Sequence, residues 1–258
     1  RGFSHSLFFC CVAPFGLSYI SQRLSKKVKD FKLWFGFWFL VFFTHTILDC
    51  FTSWGTQLFW PHPLRVAFHS IFIIDPFYTL PLLAGVLLSV WTLRLKPVQW
   101  GVVISTFYLV MTLGVKMVVD RQFEKGFVSQ NVAVKRYMSR PTPFNIFLWS
   151  VTADVNDHYV YGYYSLFDGK VPEKFMKGQP KFHERLDVFS SNKKLQKLLF
   201  FTQGYYLVDQ DVDGNVRIYD ARYGRFGDWD PDYEGVYIFT YYFYPERDEF
   251  EQVRPYVD

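Results

Sequence analysis

His45 and Asp49 stand four residues apart at the end of an apolar run, so a helix carries both on one face, and Thr52 or Ser53 continues the stripe. A histidine or an aspartate at membrane depth costs several kcal/mol unless it has a partner. Imidazole and carboxylate groups on facing helices are the donor set that a borderline divalent cation such as zinc takes. The same spacing also serves a simple hydrogen bond at a helix end, and spacing alone leaves both readings open. His5 lies at the start of an earlier apolar run. Asp75-Pro76 is a helix N-cap signal, with Asp75 open to a second role as ligand or base. His69 is open between loop residue and ligand, and His62, between Pro61 and Pro63, reads as an interfacial loop residue.

These residues sit in a half of the chain with little charge. Residues 1–120 hold 10 Lys and Arg against 4 Asp and Glu, whereas residues 121–258 hold 18 against 20. Hydrophobic residues make up 50% of the chain and aromatics 22%, which excludes a disordered chain, a coiled coil and a collagen. A net charge of +4, scattered along the sequence, argues against nucleic acid as a partner. Cys10, Cys11 and Cys50 form no CxxC and read as small apolar residues.

Four runs, Gly2 to Gln22, Leu33 to Leu48, Pro76 to Leu93 and Pro97 to Val115, contain no Asp, Glu, Lys or Arg. Each approaches the roughly 20 apolar residues that cross a bilayer. The expected fold is therefore an α-helical multi-spanning membrane protein. It has about four transmembrane helices in residues 1–120 and an appended β-rich, α+β domain in residues 121–258. Lys26, Lys27, Lys29 and Lys32 place the Ser21 to Lys32 loop in the cytoplasm. Helix parity then puts Arg1 to Ser6, the loop from Asp49 to Ser70 and everything after Val119 on the opposite face, so that His5, His45 and Asp49 should meet.

Beyond Asp120, Tyr159 to Phe167, Leu198 to Val208, Val216 to Tyr219 and Val236 to Tyr244 read as strands. Arg140 to Pro143 forms a stiff approach to them, and Lys170 to Lys197 holds one helix or a long loop. Asp209, Asp211, Asp213 and Asp220 copy the oxygen spacing of a calcium-binding loop. Their strand-like flanks predict instead a hairpin turning at Asp213-Gly214 or Gly214-Asn215. His183-Glu184 lacks the second histidine of a zinc-protease motif.

The segments Arg1-Gly-Phe-Ser-His-Ser6 and Thr44-His-Thr-Ile-Leu-Asp-Cys-Phe-Thr-Ser-Trp-Gly-Thr-Gln-Leu-Phe-Trp-Pro61 resemble the YdjM-type family. That family is described, by inference, as membrane-bound metal-dependent hydrolases and as LexA-binding, inner-membrane-associated hydrolases. Its pattern is an HRGxTHS-like segment, then HxxxDxxTxxGxxxxxP after one span, with Ser4 here in place of the threonine. The resemblance covers roughly residues 1–95. Ile73 to Tyr78 and Asp220 to Gly224 are similar to the longer members. It implies a metal held by His5, His45 and Asp49, with His69 a further candidate. Arg1, Ser4 and Asp75 would stand at the reaction, and an acidic segment and a histidine would lie ahead of Arg1. It further implies an integral protein of the bacterial inner (plasma) membrane in contact with the lipid bilayer. A phosphoester or lipid-like substrate would suit Arg1, and a protein partner would bind the C-terminal domain. The competing expectation is a non-catalytic membrane sensor or regulator whose polar cluster is structural.

Overall fold

In a computed structural model, residues 1–172, 174–211, 214–225 and 237–253 are described, and they divide into two compact units. The first comprises Arg1–Val118 with Arg140–Phe147, and the second Val119–Ser139 with Leu148–Asp258.

Four helices make up most of the first unit: α1 (Leu7–Leu24), α2 (Phe31–Phe51), α3 (Pro76–Thr92) and α4 (Lys96–Ser129). Three of them, α1, α2 and α4, are long and apolar enough to cross a membrane. The 17 residues of α3 span about 26 Å, slightly less than the roughly 30 Å of a hydrocarbon core. The outward residues of α1 to α4 include Phe8, Phe15, Phe37, Leu87, Trp91 and Phe107, all exposed, which is the pattern of helices solvated by lipid. α4 is longer than the charge-free run predicts. It continues through Lys116, Asp120 and Arg121 and contributes its last turns to the second unit.

Packing within each helix pair follows from the residues at the contact. Cys10, Pro14 and Ser18 are the buried residues of α1, spaced four apart so that they form one face. They let α2 approach, with Phe9 on Phe42 and Phe15 on Phe35 as edge-to-face rings at 5.4 and 4.8 Å and Trp38 Nε1 donating to Ser21 Oγ at 2.9 Å. Between α3 and α4 the backbones touch. A Cβ on Gly85 would lie 2.8 Å from the Pro97 carbonyl, and one on Gly101 would lie 2.7 Å from that of Pro81. This is the close approach small residues permit where apolar surface alone cannot drive association. Val98 N–H to Ser89 Oγ, Ser105 Oγ to the Tyr78 carbonyl and Tyr108 Oη to Asp75 Oδ2, at 2.8–2.9 Å, add interhelical hydrogen bonds.

Two four-stranded antiparallel arrangements follow, all but the end of β1 lying in the second unit. The first runs β1 (Arg136–Pro141), β2 (Leu148–Val155), β3 (His158–Ser165) and β4 (Met176–Pro180) in spatial order. The second runs β5 (Tyr206–Gln210), β6 (Val216–Asp220), β7 (Thr240–Tyr244) and β8 (Glu249–Val253). Leu198 to Phe201, expected as the start of a strand, instead closes helix α5 (Lys193–Phe201). Asn192 caps it, and Leu195, Leu198 and Leu199 share one face against Val208, Val216, Ile218 and Phe243. A short apolar run fits either period, and the cap decides here. Arg140 and Pro141 belong to β1 rather than to a linker. The predicted hairpin is present as β5 and β6, paired from Tyr206–Asp220 to Gln210–Val216. Asp213 and Val236 lie outside the described residues. The carboxylates that mimic a calcium loop have other partners: Asp209 pairs with Arg185 and Arg217, Asp211 accepts from Asn215, and Asp220 holds Arg222.

Asp154 joins the two arrangements. Its carboxylate accepts from Lys181 Nζ at 2.5 Å and Arg136 Nε at 3.2 Å, and Arg136 also donates to the Gln203 and Gly204 carbonyls. Burial pushes the Asp154 carboxyl upward, but the hydrogen bonds and charges of Lys181 and Arg136 outweigh it and hold the group below the usual carboxylate range. A carboxylate whose folded value lies below its unfolded value of about 3.9 stabilises the fold above that pH and loses the contribution as pH falls through the folded value. Urea midpoints of the protein in detergent should therefore drop between pH 5 and pH 3, and Asp154→Asn should flatten that drop while lowering stability at pH 7.

Candidate metal centre

The site is assembled where the first two helices share an end. A single 3-10 turn, Phe3–His5, leads into α1, and Ser6 fixes the junction by accepting from Phe9 N–H at 3.1 Å and donating to the Phe3 carbonyl at 2.7 Å. The chain after α2 returns to hold this segment: Gln57 N–H donates to the Arg1 carbonyl and Leu7 N–H to the Leu58 carbonyl, at 3.1 and 3.0 Å. Parity predicted that these two stretches share an end, and the hydrogen bonds place them side by side. Gly55, at φ +78°, takes the left-handed backbone that this return requires and that a β-carbon disfavours. Thr52 ends α2, donating from Oγ1 to the Asp49 carbonyl at 2.9 Å. The threonine and glycine of the HxxxDxxTxxG pattern thus shape the backbone around the site.

His5, His45 and Asp49 converge. Each offers one ligand atom lying within 4.8 Å of the others, and the two imidazole rings stand 5.3 Å apart between centroids. His5 Nε2 faces Asp49 Oδ2 at 3.5 Å and His45 Nε2 faces the same oxygen at 3.8 Å. Asp49 Oδ2 is nevertheless buried without a hydrogen bond, a position a carboxylate oxygen occupies only at a cost. A divalent cation shared with the two rings would meet that need, and the donor set suits zinc. To share one ion, the three ligand atoms, which lie within 4.8 Å of one another, would have to draw closer. The His45 side chain, 61% exposed, is the one free to move.

The other carboxylate oxygen is occupied. Arg1 Nη2 lies 3.1 Å from Asp49 Oδ1, while Arg1 Nη1 donates to the Asp49 carbonyl and, in a short hydrogen bond, to Thr52 Oγ1. Ser4 Oγ is 3.0 Å from His5 Nδ1. With Nδ1–H donating to that hydroxyl, the lone pair of Nε2 is turned toward Asp49. Burial holds the His5 imidazole below its usual value, and the opposing pull of Asp49 does not reverse this. Its neutral form therefore prevails at pH 7. One turn deeper, Cys10 Sγ contacts Thr46 Oγ1 at 3.4 Å and Cys50 Sγ donates to the Thr46 carbonyl at 3.3 Å. Cys10 and Cys50 are buried as the small residues expected, whereas Cys11 is exposed.

Asp75 and His69 are not members of the converging group. Asp75 Oδ1 accepts from Phe77 and Tyr78 N–H as the cap of α3, and Oδ2 accepts from Tyr108. Among the described residues the converging group forms without either of them. His69, at φ +53°, lies in a loop that caps the C-terminus of α2: Phe68 N–H donates to the Cys50 carbonyl, and Ser70 and Ile71 N–H donate to that of Phe51. Ser70 also bonds Thr112 of α4 at 3.2 Å. Sequence reading misses this link because it joins residues 42 apart in sequence. His62 Nδ1 accepts from Leu64 N–H, as a loop residue does.

A family model described as YdjM inner membrane protein matches residues 1–119. Over these residues the chain is similar to that family. No curated protein and no solved structure matches the chain. The matched region contains all three converging residues, together with Arg1, Ser4, His69 and Asp75. It is an integral membrane region by family and by its apolar helices.

Proposed function

We propose that the chain is a membrane-bound, metal-dependent hydrolase of the bacterial inner membrane, with His5, His45 and Asp49 holding one divalent cation, zinc by donor type. The observation that carries this reading is the buried Asp49 Oδ2, which accepts no hydrogen bond although two imidazole nitrogens are aimed at it. A cation there supplies Lewis-acid activation of water near neutral pH. The chain's own groups do the rest. Ser4, whose hydroxyl can accept from Nδ1–H of His5, supports the ring in the orientation that turns Nε2 toward Asp49. Arg1, held in place by Asp49 and Thr52, presents a permanent positive charge beside the site, which suits an anionic substrate such as a phosphoester, and the interfacial position suits a lipid-like one. The proposal gives Asp75 and His69 no part in the reaction, since capping and loop closure account for their positions.

The test is turnover of a panel of chromogenic phosphomonoesters and phosphodiesters by the full-length protein in detergent. Chelator-sensitive hydrolysis restored by zinc is expected, and metal-replete protein inert toward the panel would remove the phosphoester reading. Ser4→Ala should weaken metal binding about 10–100-fold without unfolding the protein, because it removes only the support of a ligand. A competition titration against a chelating dye measures it. The Arg1–Asp49 ion pair favours a second reading, in which the cluster staples α1 to α2 in a non-catalytic sensor. In that case metal is lost from Asp49→Ala with no hydrolysis to lose.

A further inference from the structure

At the other end of α1 and α2 the turn is clasped shut. Ser25 caps the C-terminus of α1 and accepts from Val28 N–H at 3.0 Å. Lys29 Nζ donates to the Gln22 and Arg23 carbonyls, and Gln22 Nε2 donates back to the Lys29 carbonyl at 2.5 Å. Asp30 caps α2 through Lys32 and Leu33 N–H, and Trp34 Nε1 donates to the Val28 carbonyl at 3.2 Å. Below this roof is a groove of about 560 Å³ lined by Val28, Lys32, Leu33, Gly36, Phe37 and Leu40, with Trp34 beside them. Residues 33, 36, 37 and 40 are one face of α2. Gly36 is the notch in that face, for a Cβ placed there would meet nothing within 4 Å.

Lys32 lines the groove, and Lys26 and Lys27 lie in the turn just ahead of Val28. Lys29 is used in the clasp, but Lys26, Lys27 and Lys32 are exposed, and among the described residues none of their ammonium groups has an ion pair or hydrogen bond within the chain. They stand at or ahead of the N-terminus of α2, where the helix dipole is itself positive and the single carboxylate, Asp30, is used in capping the helix. The clasp fixes that arrangement in advance, so a ligand has little ordering to impose. An anionic head placed at the lysines with an apolar chain running down past Gly36 satisfies both halves of the site.

We propose that this turn is a binding site for one anionic phospholipid, its phosphate at Lys26, Lys27 and Lys32 and an acyl chain in the groove at Gly36. The site stands independently of any reaction at the opposite end of the hairpin. The groove sits on the lipid-facing side of α2, and the three uncompensated cations select the charged lipid from the surrounding bilayer.

The experiment uses the full-length protein in phosphatidylcholine nanodiscs containing increasing fractions of either phosphatidylglycerol or phosphatidylcholine with brominated chains. The Trp34 signal is taken as the difference between wild type and Trp34→Phe. Brominated phosphatidylglycerol should quench Trp34 at a mole fraction at least about tenfold lower than brominated phosphatidylcholine, from roughly fivefold per surface lysine. The triple variant Lys26→Ala, Lys27→Ala, Lys32→Ala should lose that preference. Gly36→Leu, whose side chain enters open space and leaves the fold intact, should weaken quenching by phosphatidylglycerol while all the charges remain. Equal quenching by the two lipids overturns the proposal. So does an unchanged response in Gly36→Leu, which would reduce the site to diffuse attraction. Displacement by millimolar glycerol phosphate in solution would assign the lysines to a free phosphate and overturn the lipid assignment.

Discussion

Replacing Arg222 with Met should cost the protein about 3–5 kcal/mol, among the largest stability losses available to a single substitution here. Arg222 and Asp220 are both fully buried and form a fork: Arg222 Nη2 reaches Asp220 Oδ2 at 2.6 Å, and Nε reaches both carboxylate oxygens at 2.9 and 3.2 Å. The Arg222 backbone N–H donates to Oδ1 as well, so the carboxylate also shapes the short turn after β6. The guanidinium lies over the rings of Phe201 and Tyr223, at 5.0 and 5.2 Å from their centroids. Removing it leaves a buried carboxylate facing apolar rings with no water to solvate it, which is where most of the loss arises. The double variant Asp220→Asn, Arg222→Met should recover part of that loss, because two uncharged groups have no ionic desolvation to compensate. Denaturation in detergent, followed by far-ultraviolet circular dichroism at several urea concentrations, measures both. A loss below about 1 kcal/mol in the single variant would mean that water reaches this pair and that the turn is held by other contacts.

The second large effect concerns metal affinity, and it is graded by burial. Asp49→Ala should lower zinc affinity by at least about a thousandfold, since it removes the one charged ligand, only 10% exposed, and also releases Arg1 into the site as an uncompensated cation. His5→Ala should come next, because the ring is partly buried and its orientation is fixed through Ser4. His45→Ala should cost least of the three, because its side chain is 61% exposed and a water can take its place at small cost. Isothermal titration with zinc on the metal-free protein gives the order. A loss equal across the three variants would show that the site is more rigid than the exposed His45 ring indicates.

How far the sequence reveals this arrangement depends on the range of the forces involved. The starts of α2 and α3 are legible because an aspartate caps each, Asp30 before Phe31 and Asp75 before Pro76, whereas α2 runs on past the charge of Asp49 to Phe51. The extension of α4 is hidden because its charges, Lys116, Asp120 and Arg121, lie within one continuous helix. β3 and β6 announce themselves by aromatic and β-branched residues, whereas β4 and β8 do not. Met176-Lys-Gly-Gln-Pro180 carries no strand signal of its own, and Gly178 sits at its third place because Tyr161 and the Tyr159 carbonyl leave no room there for a β-carbon. Glu249 to Val253 is polar at most positions and is an edge strand held by pairing with Thr240 to Tyr244. Such strands are set by their neighbours rather than by their own composition. At the site, parity and an antiparallel hairpin suffice to bring His5 to His45 and Asp49. The grip of Arg1 on Asp49 and Thr52 links residues about 50 apart in sequence, and no local pattern encodes it.

The central claim is that His5, His45 and Asp49 hold one divalent cation. Elemental analysis of the full-length protein, purified without chelator and compared with the double variant His45→Ala, Asp49→Ala, tests it most directly. The account predicts about one equivalent of zinc or a similar divalent ion per chain, falling to background in the double variant while circular dichroism remains unchanged. Equal metal content in the two proteins would contradict it.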